Sequence, residues 1–335
     1  MFMRYNCVQL SVSLLALLSL TGFQMRRARA EESPRTTSEG SALLRSNLMI
    51  QNAVRNYDVR VSRWSSKTVK NESLSHNFPS KEEKKIYRQV TDLDQEKSLI
   101  VTRSFVVDEQ TEKHARKETL ARSLVFFENG KVIRRSLLNA PDSGRPQAQT
   151  FAQFCRGENL ERPALMGYYF VHMPVDYTRV DAVLAALGRP DNDSFLLNTM
   201  GDGMLRVSSA PKPGQTIRVT NWIDPIRLVT VKQTSLRFSS GTWTPNFSHD
   251  VEYEERDSLY LPIRITYSAT VGLPNPSNPS QALAISDEVG TIELEWYQVN
   301  AKELKFPDLK ELGASAADWE RFVNQKKAES TAAKK

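Results

Sequence analysis

Leu259–Thr270 reads LYLPIRITYSAT and is the cleanest alternation in the chain. Leu261, Ile263, Ile265, Tyr267 and Ala269 stand against Pro262, Arg264, Thr266 and Ser268. A period of two sends these sets to opposite sides of a β-strand, one of them toward a core. Pro262 has no N–H to give a ladder, so this strand is expected at an edge or bulged there. Thr291–Val299 repeats the theme, with Ile292, Leu294 and Trp296 opposite Glu293, Glu295 and Tyr297. Far upstream, Tyr57, Val59 and Val61 alternate with Asp58, Arg60 and Ser62.

Working outward, strand-like runs occupy 85–91, 98–107, 120–128 and 131–138. Asn129-Gly130 between the last two is a strong hairpin signal, because both central residues of a type I′ turn need positive φ. Runs at 216–223 and 226–236 flank Asp224-Pro225 and read as another hairpin. Helical patterns fall at Ser41–Arg55, Phe151–Arg156 and Thr178–Leu187. A last helix, capped by Ser315, carries Trp319, Phe322 and Val323 as one stripe. About ten strands follow one another as hairpins, without the strand–helix alternation that builds a parallel sheet. The fold class is therefore α+β: a large curved antiparallel sheet, unclosed and β-barrel-like, with helices packed on its concave face. One such domain is expected over 41–325.

The ends read differently. Met1–Arg4 is a short basic start, Val8–Phe23 is mostly apolar, and Ala28-Arg29-Ala30 offers small residues for cleavage before Glu31. Residues 1–30 are thus expected to be a signal peptide, 31–40 a disordered spacer and 326–335 a disordered tail. Export to the periplasm or beyond follows, with no transmembrane span after cleavage. Lys and Arg total 45 against 39 Asp and Glu, but Arg4, Arg26, Arg27 and Arg29 lie in the first 30 residues. The remainder, 41 against 39, is nearly neutral and lacks the basic surplus of a nucleic-acid binder. Cleavage removes Cys7 and leaves Cys155, so the fold must stand without an internal disulfide. Beside Phe151 and Phe154, Cys155 reads as a small buried hydrophobe.

Catalytic signatures are missing: no G-x-S-x-G, Walker loop, H-E-x-x-H or C-x-x-C occurs. Gly201-Asp202-Gly203 reads as a turn, since Arg206 stands where a dinucleotide loop needs glycine. Asp191-Asn192-Asp193-Ser194 begins like a calcium loop, but Phe195 and Leu196 take the next ligand and glycine places. No metal and no cofactor are expected. Asp250, Glu252 and Glu254 share one strand face and could tune one another as acid and base, or simply form a charged surface. His249–Asp250 is the least implausible catalytic fragment; His76, His114 and His172 are scattered.

The remaining resource is apolar sheet surface. A sheet that curls without closing leaves a concave apolar face, a cradle for an acyl chain unless the helices fill it. Val59, Val61, Leu261, Ile263, Ile265, Leu294 and Trp296 are the candidate lining residues. The leading expectation is a non-enzymatic exported protein binding a lipid, an acylated protein or another apolar ligand. A cell-envelope interaction module with a protein partner is the second, and an envelope hydrolase using the acidic strand cluster the third.

The order of signal peptide, amphipathic helix, Tyr57-opened strand and hairpins, then Trp222-Ile223-Asp224-Pro225 leading into a further hairpin and a late Trp296 strand, carries a resemblance. It resembles the periplasmic lipoprotein-localisation (LolA/LolB-like) half-barrel proteins and their uncharacterised exported relatives, over Ser41 to about Asn300. The resemblance implies an N-terminal helix on an unclosed antiparallel barrel, with a lipid or lipid-modified partner in the hollow. This chain is longer than the small carriers, with extra helical material at Phe151–Leu187. Arg60 and Arg63 are both candidates for the carriers' functional arginine; neither sits in a matching motif, and no site residue is carried over.

Overall fold

The computed structural model describes residues 35–36, 38–70, 81–109, 116–136, 147–158, 162–166, 195–210, 214, 216–239, 242–275, 278–308, 312 and 316–325. The expected signal peptide, the Thr178–Leu187 helix, the Asp191–Ser194 loop, His76, His114 and His172 lie outside them. Thr36–Lys335 is one compact unit, distinct from Met1–Arg35. The strands are β1 (Arg35–Thr36), β2 (Asn56–Lys70), β3 (Lys81–Asp92), β4 (Lys97–Glu109), β5 (Arg116–Glu128), β6 (Lys131–Ser136) and β7 (Gln147–Ala148). They continue as β8 (Phe195–Thr199), β9 (Leu205–Ser209), β10 (Ile217–Asp224), β11 (Val229–Ser239), β12 (Thr242–Arg256), β13 (Leu259–Asn275) and β14 (Asn278–Val299). The helices are α1 (Ser38–Asn52), α2 (Phe151–Gly157) and α3 (Ala316–Asn324), with a 3₁₀ turn at Pro163–Leu165.

All the described strands share one open sheet, ordered β1-β8-β9-β10-β11-β12-β13-β14-β2-β3-β4-β5-β6-β7. Two antiparallel meanders, β2 to β7 and β8 to β14, are joined where the last strand of the second pairs with the first of the first. The α+β class with an unclosed antiparallel sheet is what the alternation called for. Asn129 (φ 51°) and Gly130 (φ 70°) make the expected hairpin turn. At the other predicted hairpin, the Asp224 carboxylate accepts the N–H groups of Ile226 (2.8 Å) and Arg227 (3.1 Å) and closes the turn. Pro262 is in an interior strand and sits at a bulge: Glu252 faces Arg264 and Tyr253 faces Pro262, which leaves Ile263 as the extra residue.

Register fixes the two faces. Val59 pairs with Trp296 and Gln89, Val61 with Leu294 and Tyr87, and Ile292 with Ile265; this is the inner face below. α1 lies on it through Leu44 and Leu48, which pack on Leu197, Leu205, Val207 and Ile223. Its buried stripe is Ser41, Leu44, Asn47, Leu48 and Gln51, with Leu43 and Ile50 at the margins. Two amides in the stripe hid it: Asn47 donates to the Leu228 carbonyl and accepts from Thr230 (3.2 Å), and Gln51 donates to Tyr253 (3.3 Å). α2, opened by a reciprocal Thr150–Gln153 cap, sets Phe151, Phe154 and the buried Cys155 against Phe127 and Val132.

α3 takes the opposite, outer face. Trp319 and Val323 join Ile86, Val90, Leu99, Val101, Leu124 and Phe126 in a separate apolar cluster. Arg88 pins the helix there. It makes a two-point ion pair with Asp58 (2.8 and 2.9 Å), donates to the Phe322 carbonyl (3.0 Å) and lies 4.3 Å from the ring centroids of both Tyr297 and Phe322.

Candidate functional site

The seven nominated lining residues fall into one cluster on the inner face, with Val54, Tyr57, Tyr87, Phe247, Val251, Tyr267, Ala269 and Ile292. Val59, Val61, Leu261, Ile265, Leu294 and Trp296 are each no more than 5% exposed. Ile263, displaced by the bulge, packs on the cluster's margin. Trp296 donates its indole N–H to the Pro262 carbonyl (2.8 Å) and meets Tyr57 edge-on at 6.1 Å. Above this surface the described cover is thin: Val54, just beyond α1, with Ala164 in the 3₁₀ turn and Met166 after it. Buried Arg162 ties that turn to α1, donating to the Asn52 side chain and to the Val54 carbonyl (3.4 Å).

A polar row borders the cluster. Register aligns Asn221, Gln233, His249, Tyr267, Gly290 and Ser65 across β10, β11, β12, β13, β14 and β2. Gln233 donates to Asn221 (2.6 Å), and His249, fully buried, meets the Phe247 ring edge-on at 5.2 Å. The Tyr267 ring lies over Gly290, where a Cβ would come within 2.5 Å of its Cζ and hydroxyl. Its hydroxyl donates to Glu288 (3.0 Å) and accepts from Arg63 (3.4 Å), whose guanidinium is 5.6 Å from the ring centroid and 3.9 Å from the Glu288 carboxylate. Burial raises the Tyr267 hydroxyl above its ordinary range; Arg63 opposes this and Glu288 adds to it. The row therefore offers a cation, an anion and neutral donors and acceptors along one border of an apolar surface.

Strand alternation decides two questions the sequence left open. Arg60 and Arg63 point to opposite faces: Arg60 donates to the Val323 carbonyl of α3 (2.9 Å), whereas Arg63 reaches the inner face. His249 and Asp250 are likewise separated. His249 is buried inside, while Asp250 is exposed outside, 3.6 Å from Lys232, so the two cannot act as a catalytic pair. Glu252, also exposed, stands opposite Arg264. Among the described residues, no group of three His, Cys, Asp or Glu side chains is placed to hold a metal ion. No described helix is long and apolar enough to cross a membrane.

The Arg63–Tyr267–Glu288 group was not foreseen. Its members are brought together by strand register across more than two hundred residues of chain, which leaves no local motif. A usable signal was Tyr267 as the one hydroxyl-bearing residue in the inward set of LYLPIRITYSAT, since a buried tyrosine needs a partner for its O–H.

No family model and no curated protein matches the sequence. Solved structures do. A DUF1329 family protein from Desulfovibrio piger is 10% identical over 77% of this chain and 92% of its own, with a TM-score of 0.27. A protein from Vibrio parahaemolyticus, described as an outer membrane lipoprotein-sorting protein domain, is 11% identical over 78% and 95%, TM-score 0.27. A LolA superfamily protein from Nitrosomonas europaea is 11% identical over 78% and 94%, TM-score 0.29. The likeness to these proteins is weak and lies at the level of fold.

Proposed function

We propose that this is an exported, non-enzymatic protein of the periplasm that binds an amphiphile, a lipid or an acylated protein, on the inner face of the sheet. The observation that carries the reading is the border between the Val59–Leu294–Trp296 surface and the Arg63–Tyr267–Glu288 row. An acyl chain would lie on the first and a polar head would meet the second. Each face satisfies what the other part of such a ligand lacks in water. The lining residues are buried, so uptake has to part their cover, of which Val54, Ala164 and Met166 are the described portion.

Trp296 supplies the test. Of the five tryptophans, Trp64, Trp222 and Trp243 share the outer register and Trp319 packs in the outer cluster; only Trp296 is inside. A brominated fatty acid should quench part of the tryptophan emission, and Trp296→Phe should abolish that part. Native mass spectrometry of protein expressed into a bacterial periplasm should show a lipid-range mass that organic extraction removes. The full burial of Val59 and Ile265 favours a second reading, a finished core on a protein that engages another envelope protein. A bare mass together with unquenched Trp296 would sink the amphiphile reading in favour of that one.

A further inference from the structure

The hairpin end of the sheet carries a second feature, independent of any ligand inside: Leu236, Phe238, Trp243 and Arg218 lie on its outer face, Ile217 and Arg237 on its inner face. At the end of β10, β11 and β12 where β11 turns into β12, large apolar side chains stand in solvent. Ile217 is 44% exposed, Leu236 38% and Phe238 40%, and none belongs to a core cluster. Phe238 pairs with Trp243 across the hairpin, ring centroids 5.2 Å apart, and Arg218 stacks on Trp243 at 4.2 Å. The Nε of Arg218 is buried without a hydrogen-bond partner, and the exposed Arg237 stands opposite Ile217.

The charge of this region departs from the nearly neutral average. From Gly203 to His249 the chain has six basic residues, Arg206, Lys212, Arg218, Arg227, Lys232 and Arg237, and one acid, Asp224. That acid closes the turn at the opposite end of β10, where it pairs with Arg227 (3.6 Å), so the described cations at the tip itself are Arg218 and Arg237. Along β12 the first acid is Asp250, which already faces Lys232. In the adjoining hairpin, residues 271–285 contain no charged residue at all. An exposed tip of Ile217, Leu236 and Phe238 beside half-buried Trp243, flanked by Arg218 and Arg237 and with no carboxylate in the adjoining sequence, matches an anionic bilayer surface: apolar groups enter the interface while cations meet the phosphates.

We infer that the β10–β11–β12 tip docks the protein on anionic membrane. Trp243 offers an amphipathic ring to the interface, Leu236 and Phe238 offer apolar surface, and Arg218 and Arg237 supply the attraction. The contact is a peripheral one, made by a hairpin end with its core intact behind it.

Vesicle flotation tests this. The purified protein should float with phosphatidylethanolamine vesicles containing phosphatidylglycerol, fail to float with phosphatidylcholine alone, and release as salt rises. Arg218→Ser with Arg237→Ser should weaken binding roughly 30-fold, two basic contacts being lost. Phe238→Ser, a surface change, should also release the protein while leaving its circular dichroism and unfolding midpoint in place. Equal flotation with both vesicle types, or binding indifferent to these substitutions, overturns the inference. So does capture by heparin or single-stranded DNA with no flotation, or dimerisation lost in Phe238→Ser with no flotation.

Discussion

Gly290 shows how one residue sets the polar row. A methyl group there would lie 2.5 Å from both the Tyr267 ring and the carbonyl oxygen of Trp64. The ring could swing away; the neighbouring strand's backbone could not. Gly290→Ala should therefore destabilise the fold by about 2–3 kcal/mol in denaturant titration. Tyr267→Ala placed behind it should recover only the ring's share. The tyrosines also fix the alkaline limit. Burial, reinforced by Glu295, pushes Tyr297 up to about 12, and burial raises Tyr267 as well. Unfolded tyrosine ionises near ~10, so these groups stabilise the folded state fully below that pH. Their contribution drains away as pH climbs from about 10 toward the folded values. Unfolding midpoints measured across that window should fall, and fall less steeply in Tyr297→Phe.

At the scale of elements, α3 depends on a buried ion pair. Asp58 and Arg88 are both almost wholly inaccessible, and of the two Arg88 also reaches the helix, at the Phe322 carbonyl and Gln325, beside the Arg60–Val323 contact. Asp58→Ala strands a buried guanidinium and should cost about 3–5 kcal/mol, whereas Asp58→Leu with Arg88→Met should cost much less. The double variant should nonetheless lose hydrogen-exchange protection over 316–324 while β2 and β3 keep theirs. Such couplings also mark what the sequence could show. Tyr57-Val59-Val61, LYLPIRITYSAT and Asn129-Gly130 each placed an element, because one buried face or one turn conformation dominated the local pattern. Strand lengths were underestimated: 62–68 and 82–85, Trp64 apart, carry polar residues on both faces, so alternation fades where the hairpin arms leave the core. β8 and β9, five residues each, were too short to carry a period. Membership of the inner-face cluster was legible because each residue is apolar in a period-two run; the Arg63–Glu288 contact was not, because cross-strand register has no trace along the chain.

Across the whole molecule, the order of the sheet separates local from distant pairing. Hairpins inside each meander close short loops, but β14 meets β2 only by joining residues such as Leu294 and Val61. Closing so long a loop is entropically costly, so this seam should form late. Leu294→Ala, at a cost of about 3 kcal/mol, should mainly hasten unfolding and leave the refolding rate nearly unchanged in stopped-flow measurements. The sheet's two ends have a different consequence. Both outermost strands, Arg35–Thr36 and Gln147–Ala148, are two residues long. A free strand edge of ordinary length can template another chain, hydrogen bond by hydrogen bond, into a growing ribbon. Among the described residues, each terminus of the ribbon is a stub too brief to register an incoming strand. At these two ends, then, a second copy would find no long described strand on which to extend the sheet.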